Sequence, residues 1–123
     1  MFLVKTRMGN SEIQGVGVFA DEFIPKGTVV WKFHEGIDRT VTLEELDRLP
    51  VDVQEEIKRL SWLDRDLGVW IFCAGQGPFI NHSADPCLIH DAIVNAPSVA
   101  ARDIQPGEEL TENYVSYDPS WDG

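Results

Sequence analysis

The chain has 123 residues, 43% hydrophobic and 25% charged, the size and composition of one globular domain able to bury roughly two-thirds of its unfolded surface. Ten basic against twenty-one acidic residues give a net charge of −11, a field that repels nucleic-acid phosphates and attracts basic peptides and protein tails. No apolar run nears the ~20 residues of a membrane span, and Met1 to Arg7 lacks the apolar stretch of a signal peptide. The expectation is therefore a cytoplasmic protein with no membrane and no direct nucleic-acid contact. Cys73 and Cys87 lie 14 positions apart. They form neither a disulfide framework nor a zinc set, so they are expected as reduced, buried thiols with no metal implied.

Residues 1–7 alternate apolar and polar and are expected as a first strand, with Gly9-Asn10-Ser11 as a turn. Gly15-Val16-Gly17-Val18-Phe19-Ala20 follows, with two glycines that permit close backbone approach to a ligand. It is no dinucleotide fingerprint, because the third glycine and the following helix are absent. Ile24-Pro25-Lys26-Gly27 is a β-turn, and Thr28 to Phe33 a strand by its β-branched and aromatic content. Thr42-Leu43-Glu44-Glu45 is a capping box, predicting a helix that stops at Pro50. Asp52 offers a second N-cap, and Val53, Ile57 and Leu60 make an apolar stripe. Residues 42–63 are thus expected as two short helices. Strands are expected over 69–74, 88–94 and 98–104, with Gln105-Pro106-Gly107 a turn resembling the one at Gly27. No long repeat is visible. The whole predicts a mainly β domain over 1–123 with a helical insert at 42–63 and a short tail at 115–123.

Two stretches gather the side chains able to do chemistry, Asn81-His82-Ser83 and Gly107-Glu108-Glu109-Leu110-Thr111-Glu112-Asn113-Tyr114. Together with the blocks at Gly15, Ile24, Phe79 to Pro86 and Ala101 to Gly107, which follow in the same order, they resemble the SET domain of protein lysine methyltransferases. The likeness runs from about Val4 to Tyr117. Minimal SET proteins of viral and bacterial type resemble this chain in length, and the resemblance allows a homodimer.

The resemblance implies a SET-domain β-clip fold of small curled sheets with a C-terminal pseudoknot. It implies S-adenosylmethionine as cofactor, S-adenosylhomocysteine as product, and a lysine channel opening from the opposite face. The substrate would be a basic protein or peptide, histone-like or ribosomal, met in the cytoplasm or in a host nucleus. Transfer from a sulfonium to an amine is an in-line displacement, so positioning dominates. The attacking lysine must be neutral, although its ordinary pKa is about 10.4, and an apolar aromatic channel favours that form. Carried over by motif, Tyr114 is the catalytic tyrosine, and Gly15, Val16, Gly17, Asn81, His82 and Tyr114 contact the cofactor. Channel aromatics are expected from Tyr117, Trp62, Trp70 and Phe72, with plain core packing as the alternative for Trp70 and Phe72. Glu108 and Glu109 have a solvated turn as their plain alternative, and His34 and His90 are expected as structural or exposed.

This chain departs from the family at Cys87, where an Asn after Pro86 normally supports the loop, leaving the cofactor-loop geometry as a question for the structure. The cysteine-rich zinc segment of larger enzymes is also missing, so Tyr117 and Trp121, or another subunit, would close the channel. Both departures motivate an alternative: a catalytically weak or inactive SET-fold module that binds S-adenosylmethionine or a basic peptide.

Overall fold

A computed structural model of the chain describes residues 1–64, 67–73, 75–90 and 96–116. Ten short strands and two helices follow in order: β1 (Thr6–Asn10), β2 (Val16–Ala20), β3 (Val29–Trp31), β4 (Arg39–Thr42), α1 (Leu43–Asp47), α2 (Val51–Arg59), β5 (Ser61–Asp64), β6 (Val69–Phe72), β7 (Asn81–His82), β8 (Leu88–His90), β9 (Ser98–Ala100) and β10 (Thr111–Glu112). They build four small sheets, β1-β2, β10-β7, β3-β9-β8 and β4-β6-β5.

The two look-alike turns turn out to be partners. Ile24 and Ile104 exchange both backbone hydrogen bonds, at 2.9 and 2.8 Å. Around them the pairing repeats at a constant offset of eighty positions. The Gly27 N–H donates to the Ala100 carbonyl and the Gly107 N–H to the Ala20 carbonyl, both at 2.8 Å. Both glycines hold positive φ, +87° and +89°, which side-chain-bearing residues adopt only at a cost. A repeat is therefore present after all, carried by hydrogen bonds and a few residues (Ala20 and Ala100, Ile24 and Ile104, Gly27 and Gly107) rather than by extended sequence similarity. Ile24 and Ile104, both essentially without exposed surface, anchor the main core with Val18, Val30, Leu88 and Leu110. Each such side chain contributes roughly 1.5–3 kcal/mol by leaving water.

The parallel pairing of β10 with β7 sets Thr111 beside Asn81 and Glu112 beside His82. The same Thr111 is also tied to Cys87, whose N–H donates to Thr111 Oγ1 at 3.2 Å. Strand β10 is thus held at both ends of the loop 83–87 and lies across its mouth, the crossing that the expected pseudoknot requires. Cys87 makes this crossing without an amide. Its thiol is fully buried, receives the Thr111 N–H at 3.4 Å and faces the Glu109 carbonyl at 3.5 Å.

Several expected boundaries move. The first strand is Thr6–Asn10, not 1–7, because Gly9 and Asn10 pair with Gly17 and Val16 instead of turning; the turn falls at Ser11 to Gly15, closed by the Ser11 N–H on the Gly15 carbonyl at 2.8 Å. The capping box holds: Thr42 Oγ1 accepts from the Glu45 N–H at 3.0 Å. Asp52 does not cap α2. Pro50 stands in the cap position, and the Gln54 N–H reaches its carbonyl at 2.9 Å. Residues 61–63 belong to β5, not to a helix, since pairing with β6 satisfies that backbone. The stripe on α2 buries little: Val53 is exposed, and Ile57 packs on the Val41, Leu46 and Trp70 cluster. The strands expected to run on to 94 and 104 are described only as Leu88–His90 and Ser98–Ala100.

The sheet β4-β6-β5 has two faces, and alternation along β6 decides which aromatic goes where. Ile71 sits opposite Trp62 and packs with Trp31 and Cys73; Trp70 and Phe72 point the other way, toward Val41 and the helices.

Candidate active site

The β7–β10 pairing joins the two motifs side by side. Asn81 projects its amide into the turn at Ser11 to Gly17. Its Nδ2 lies 3.1 Å from Ser11 Oγ, 3.2 Å from the Gln14 carbonyl, 3.1 Å from the Val16 carbonyl and 2.8 Å from Glu109 Oε2. Ser11 Oγ donates to the Glu109 carboxylate, at 2.7 Å to Oε1, and accepts the Ile13 and Gln14 N–H groups. Gly15, at φ +48°, lets this turn close. Gly17 is buried against the carboxylate: a Cβ there would stand 2.3 Å from Glu109 Oε2. So Glu109 is no solvated turn residue; it belongs to this wall. Glu108 does close its turn, accepting the Gln105 N–H at 3.0 Å and Arg102 Nη1 at 2.7 Å. The Arg102 hydrogen bond holds the Glu108 carboxyl below its ordinary range and raises Arg102 in turn.

Beside Asn81, the His82 and Tyr114 rings lie with centroids 5.3 Å apart and planes tilted by 51°. The Tyr114 N–H donates to His82 Nδ1 at 3.1 Å, which fixes that nitrogen as an acceptor. The Tyr114 hydroxyl donates to the Ile80 carbonyl. Tyr114 sits in a short 3-10 turn over Tyr114–Ser116, not in a strand.

A third group forms an aromatic cleft. Trp62 meets Trp31 edge-on at 5.7 Å and His90 at 5.6 Å, and Phe33, Asp64, Ile71 and Ala96 complete the lining. His90 is buried and structural only in part, for it lines this cleft. Its Nδ1 lies 2.9 Å from Ser98 Oγ, and Ser98 donates its one proton to Glu112 Oε1 at 2.9 Å, so His90 must be the donor to Ser98. Glu112 is two residues before Tyr114, and the chain Glu112, Ser98, His90 therefore links β10 to the cleft.

Of the expected channel aromatics, Trp62 is in this cleft. Phe72 is not: it lies on the opposite sheet face, in a groove of about 230 Å³ with Arg39, Val41, Glu45, Leu49 and Ile57. Trp70 shares the Phe72 face as core. Tyr117 and Trp121 fall outside the described residues. Sequence reasoning missed Ser11, Trp31, Phe33, His90 and Glu112. Only Glu112 stood in a motif. The others are joined to the site by pairing across seventy or more positions or by strand alternation, which leave no local mark. Among the described residues no cluster of His, Cys, Asp and Glu could hold a metal ion. Burial, and then Asp38, push the Cys73 thiol far up, so it stays protonated.

The family model of the SET domain matches residues 15–115. No curated protein matches the sequence significantly. Solved structures share the fold. An apo Polycomb Repressive Complex 2 from Chaetomium thermophilum aligns at TM-score 0.73 and 25% identity over 95% of this chain. The same complex bound to S-adenosylmethionine aligns at 0.71 and 24% over 95%. Each alignment spans only 16% of the Polycomb chain. A Plasmodium falciparum protein assigned as a histone methyltransferase aligns at 0.64 and 22%, over 96% of both chains. SET methyltransferases use S-adenosylmethionine. With the match spanning β2 and both motif strands, β7 and β10, the chain belongs to the SET domain family.

Proposed function

We propose that the protein transfers a methyl group from S-adenosylmethionine to the ε-amine of a lysine in a basic protein substrate. One observation carries this reading: the β7–β10 pairing puts Tyr114, its hydroxyl fixed on Ile80, next to the wall built by Gly15 to Gly17, Asn81, Ser11 and Glu109. The residues fit the cofactor. Gly15 is open, and the wall offers carbonyl and carboxylate oxygens to the amino-acid part. When bound, the cofactor supplies an electrophilic methyl on a sulfonium.

The chain's own groups do the rest by positioning. The Tyr114 hydroxyl has its proton directed at a carbonyl, so its oxygen lone pairs are what it offers to a substrate amine. His82 holds the backbone of Tyr114 in place through Nδ1. Trp31, Trp62 and Phe33 give the cleft π faces that suit an alkylammonium, and Asp64 and His90 make its lining partly polar. The net charge of −11 suits a basic partner. We place the protein in a reducing, cytoplasmic setting, supported by two free buried cysteines.

The non-catalytic alternative draws no support from Cys87, since the thiol holds the loop crossing that an amide would otherwise hold. The test is calorimetric titration with S-adenosylmethionine, then labelled methyl transfer to a panel of basic proteins, beside Asn81→Ala. Binding and transfer, both weakened in the variant, support the proposal. Intact binding without transfer to any protein favours the binding module.

A further inference from the structure

The wall around Asn81 has too few donors for its acceptors. One neutral amide nitrogen with two protons lies within 2.8 to 3.2 Å of four oxygens: Ser11 Oγ, the Gln14 and Val16 carbonyls and Glu109 Oε2. One of the four carries a full negative charge. Among the described residues the ion pairs of this protein do not include Glu109; its carboxylate is met only by the Ser11 hydroxyl and the Asn81 amide. It is half-buried and pressed against Gly17, whose missing side chain makes its place. An anion so placed, with neutral partners and surplus acceptors, is a receptor for a cation.

The scale of the cradle says which cation. Its oxygens surround the nitrogen at N–H···O distances, well beyond the 2.3–2.6 Å of calcium–oxygen bonds. An ammonium brings three protons and a charge to the point where the amide brings two protons and none. The Asn81 side chain need only turn about its terminal torsion, a soft and roughly two-fold rotation, to offer its oxygen instead.

We propose that Glu109, held by Ser11, is the charged receptor for the α-ammonium of the bound cofactor, with the Asn81 amide standing in for that ammonium when no ligand is present. This rests on the reading that the wall holds S-adenosylmethionine. It adds a positioning role for Ser11, which lies outside the residues matched by the family model, and for a carboxylate that could pass for a surface turn residue. The amino-acid half of the cofactor, not its sulfonium, is what Glu109 recognises.

Calorimetry on the full chain separates this from mere structural support. Three ligands are compared: S-adenosylmethionine, S-adenosylhomocysteine, which keeps the ammonium but lacks the sulfonium, and 5′-methylthioadenosine, which lacks the amino-acid part. Glu109→Gln is expected to weaken the first two alike, roughly ten- to a hundredfold, the loss of one charge-assisted hydrogen bond, and to leave the third within about twofold. Ser11→Ala, a gentler change, is expected to show the same pattern at roughly three- to tenfold. Equal weakening of all three ligands in both variants overturns the inference in favour of a folding role, and so does unchanged binding of S-adenosylhomocysteine. If the wild-type chain binds none of the three, the cofactor reading itself fails and the inference falls with it.

Discussion

Cys87→Ala removes a sulfur that is fully buried at the crossing of β10 over the loop 83–87. Two losses add. The Thr111 N–H, 3.4 Å from the sulfur, gives up that acceptor inside the core, and an unsatisfied buried donor costs about 1–3 kcal/mol, at the low end here because sulfur is a weak acceptor. The space left beside Ile80, Leu88 and Leu110 is about the size of a methyl group and costs about 1 kcal/mol. The sum is about 2 kcal/mol. At about 2.1 cal/mol/K of unfolding entropy per residue over 123 residues, that lowers Tm by about 8 °C. Cys87→Ser has the opposite balance: it fills the space and keeps an acceptor, but its hydroxyl needs a partner of its own, for which the Glu109 carbonyl stands ready. It should therefore lose less than the alanine variant. Thermal melting followed by circular dichroism reads both. If Cys87→Ala melts with the wild type, the thiol is filler and the loop is held by backbone N–H groups, that of Cys87 on Thr111 Oγ1 and that of Ser83 on the Glu112 carbonyl.

Other outcomes follow from the same geometry. Gly27→Ala and Gly107→Ala occupy matching positions in the paired turns, with open space where Cβ would go; each should cost about 1–2 kcal/mol of conformational strain, and denaturant midpoints that differ widely between them would contradict the paired-turn symmetry. Glu108 has its pKa depressed by Arg102, so its stabilisation is present above the unfolded carboxylate value of about 4.3 and is lost as pH falls through the folded value. Because the pair is largely exposed, Arg102→Met should cost under about 1 kcal/mol at pH 7, and the gap from wild type should close in acid; a gap that widens there would reverse the sign. Trp62→Ala should raise the KM for a lysine substrate by several-fold to about thirtyfold, while Phe72→Ala lowers Tm and leaves KM within about twofold, since the two lie on opposite faces of one sheet; equal KM effects would place the cleft elsewhere.

What the sequence made legible was what is written locally. Asn81-His82 and the run to Tyr114 carry their chemistry in contiguous residues, and the capping box at Thr42 is a four-residue device. The turn chemistry of Pro-x-Gly and Pro-Gly was equally plain, but that Ile24 would pair with Ile104 depends on bonds between segments eighty positions apart. Phe72 and Trp62 show a second limit. Both are aromatic residues near the helical insert, and only strand alternation against a known partner tells which enters the cleft. Ser61 to Leu63 continued the apolar character of α2, yet the unpaired edge of β6 claims them as a strand. Glu109 differs from Glu108 by one position, and the pleat sends one to Arg102 in solvent and the other under Gly17. Ser11 had no mark at all beyond lying in a turn.

The central claim is that Tyr114 positions a lysine amine for methyl transfer beside an independent cofactor wall. Single-turnover transfer of labelled methyl to a basic substrate, measured for wild type and Tyr114→Phe beside S-adenosylmethionine affinity, tests it directly. Transfer by the phenylalanine variant is expected to be about a hundredfold slower or worse, with cofactor affinity within about threefold of wild type. Wild-type transfer by the phenylalanine variant would remove the tyrosine from its place at the centre of the site.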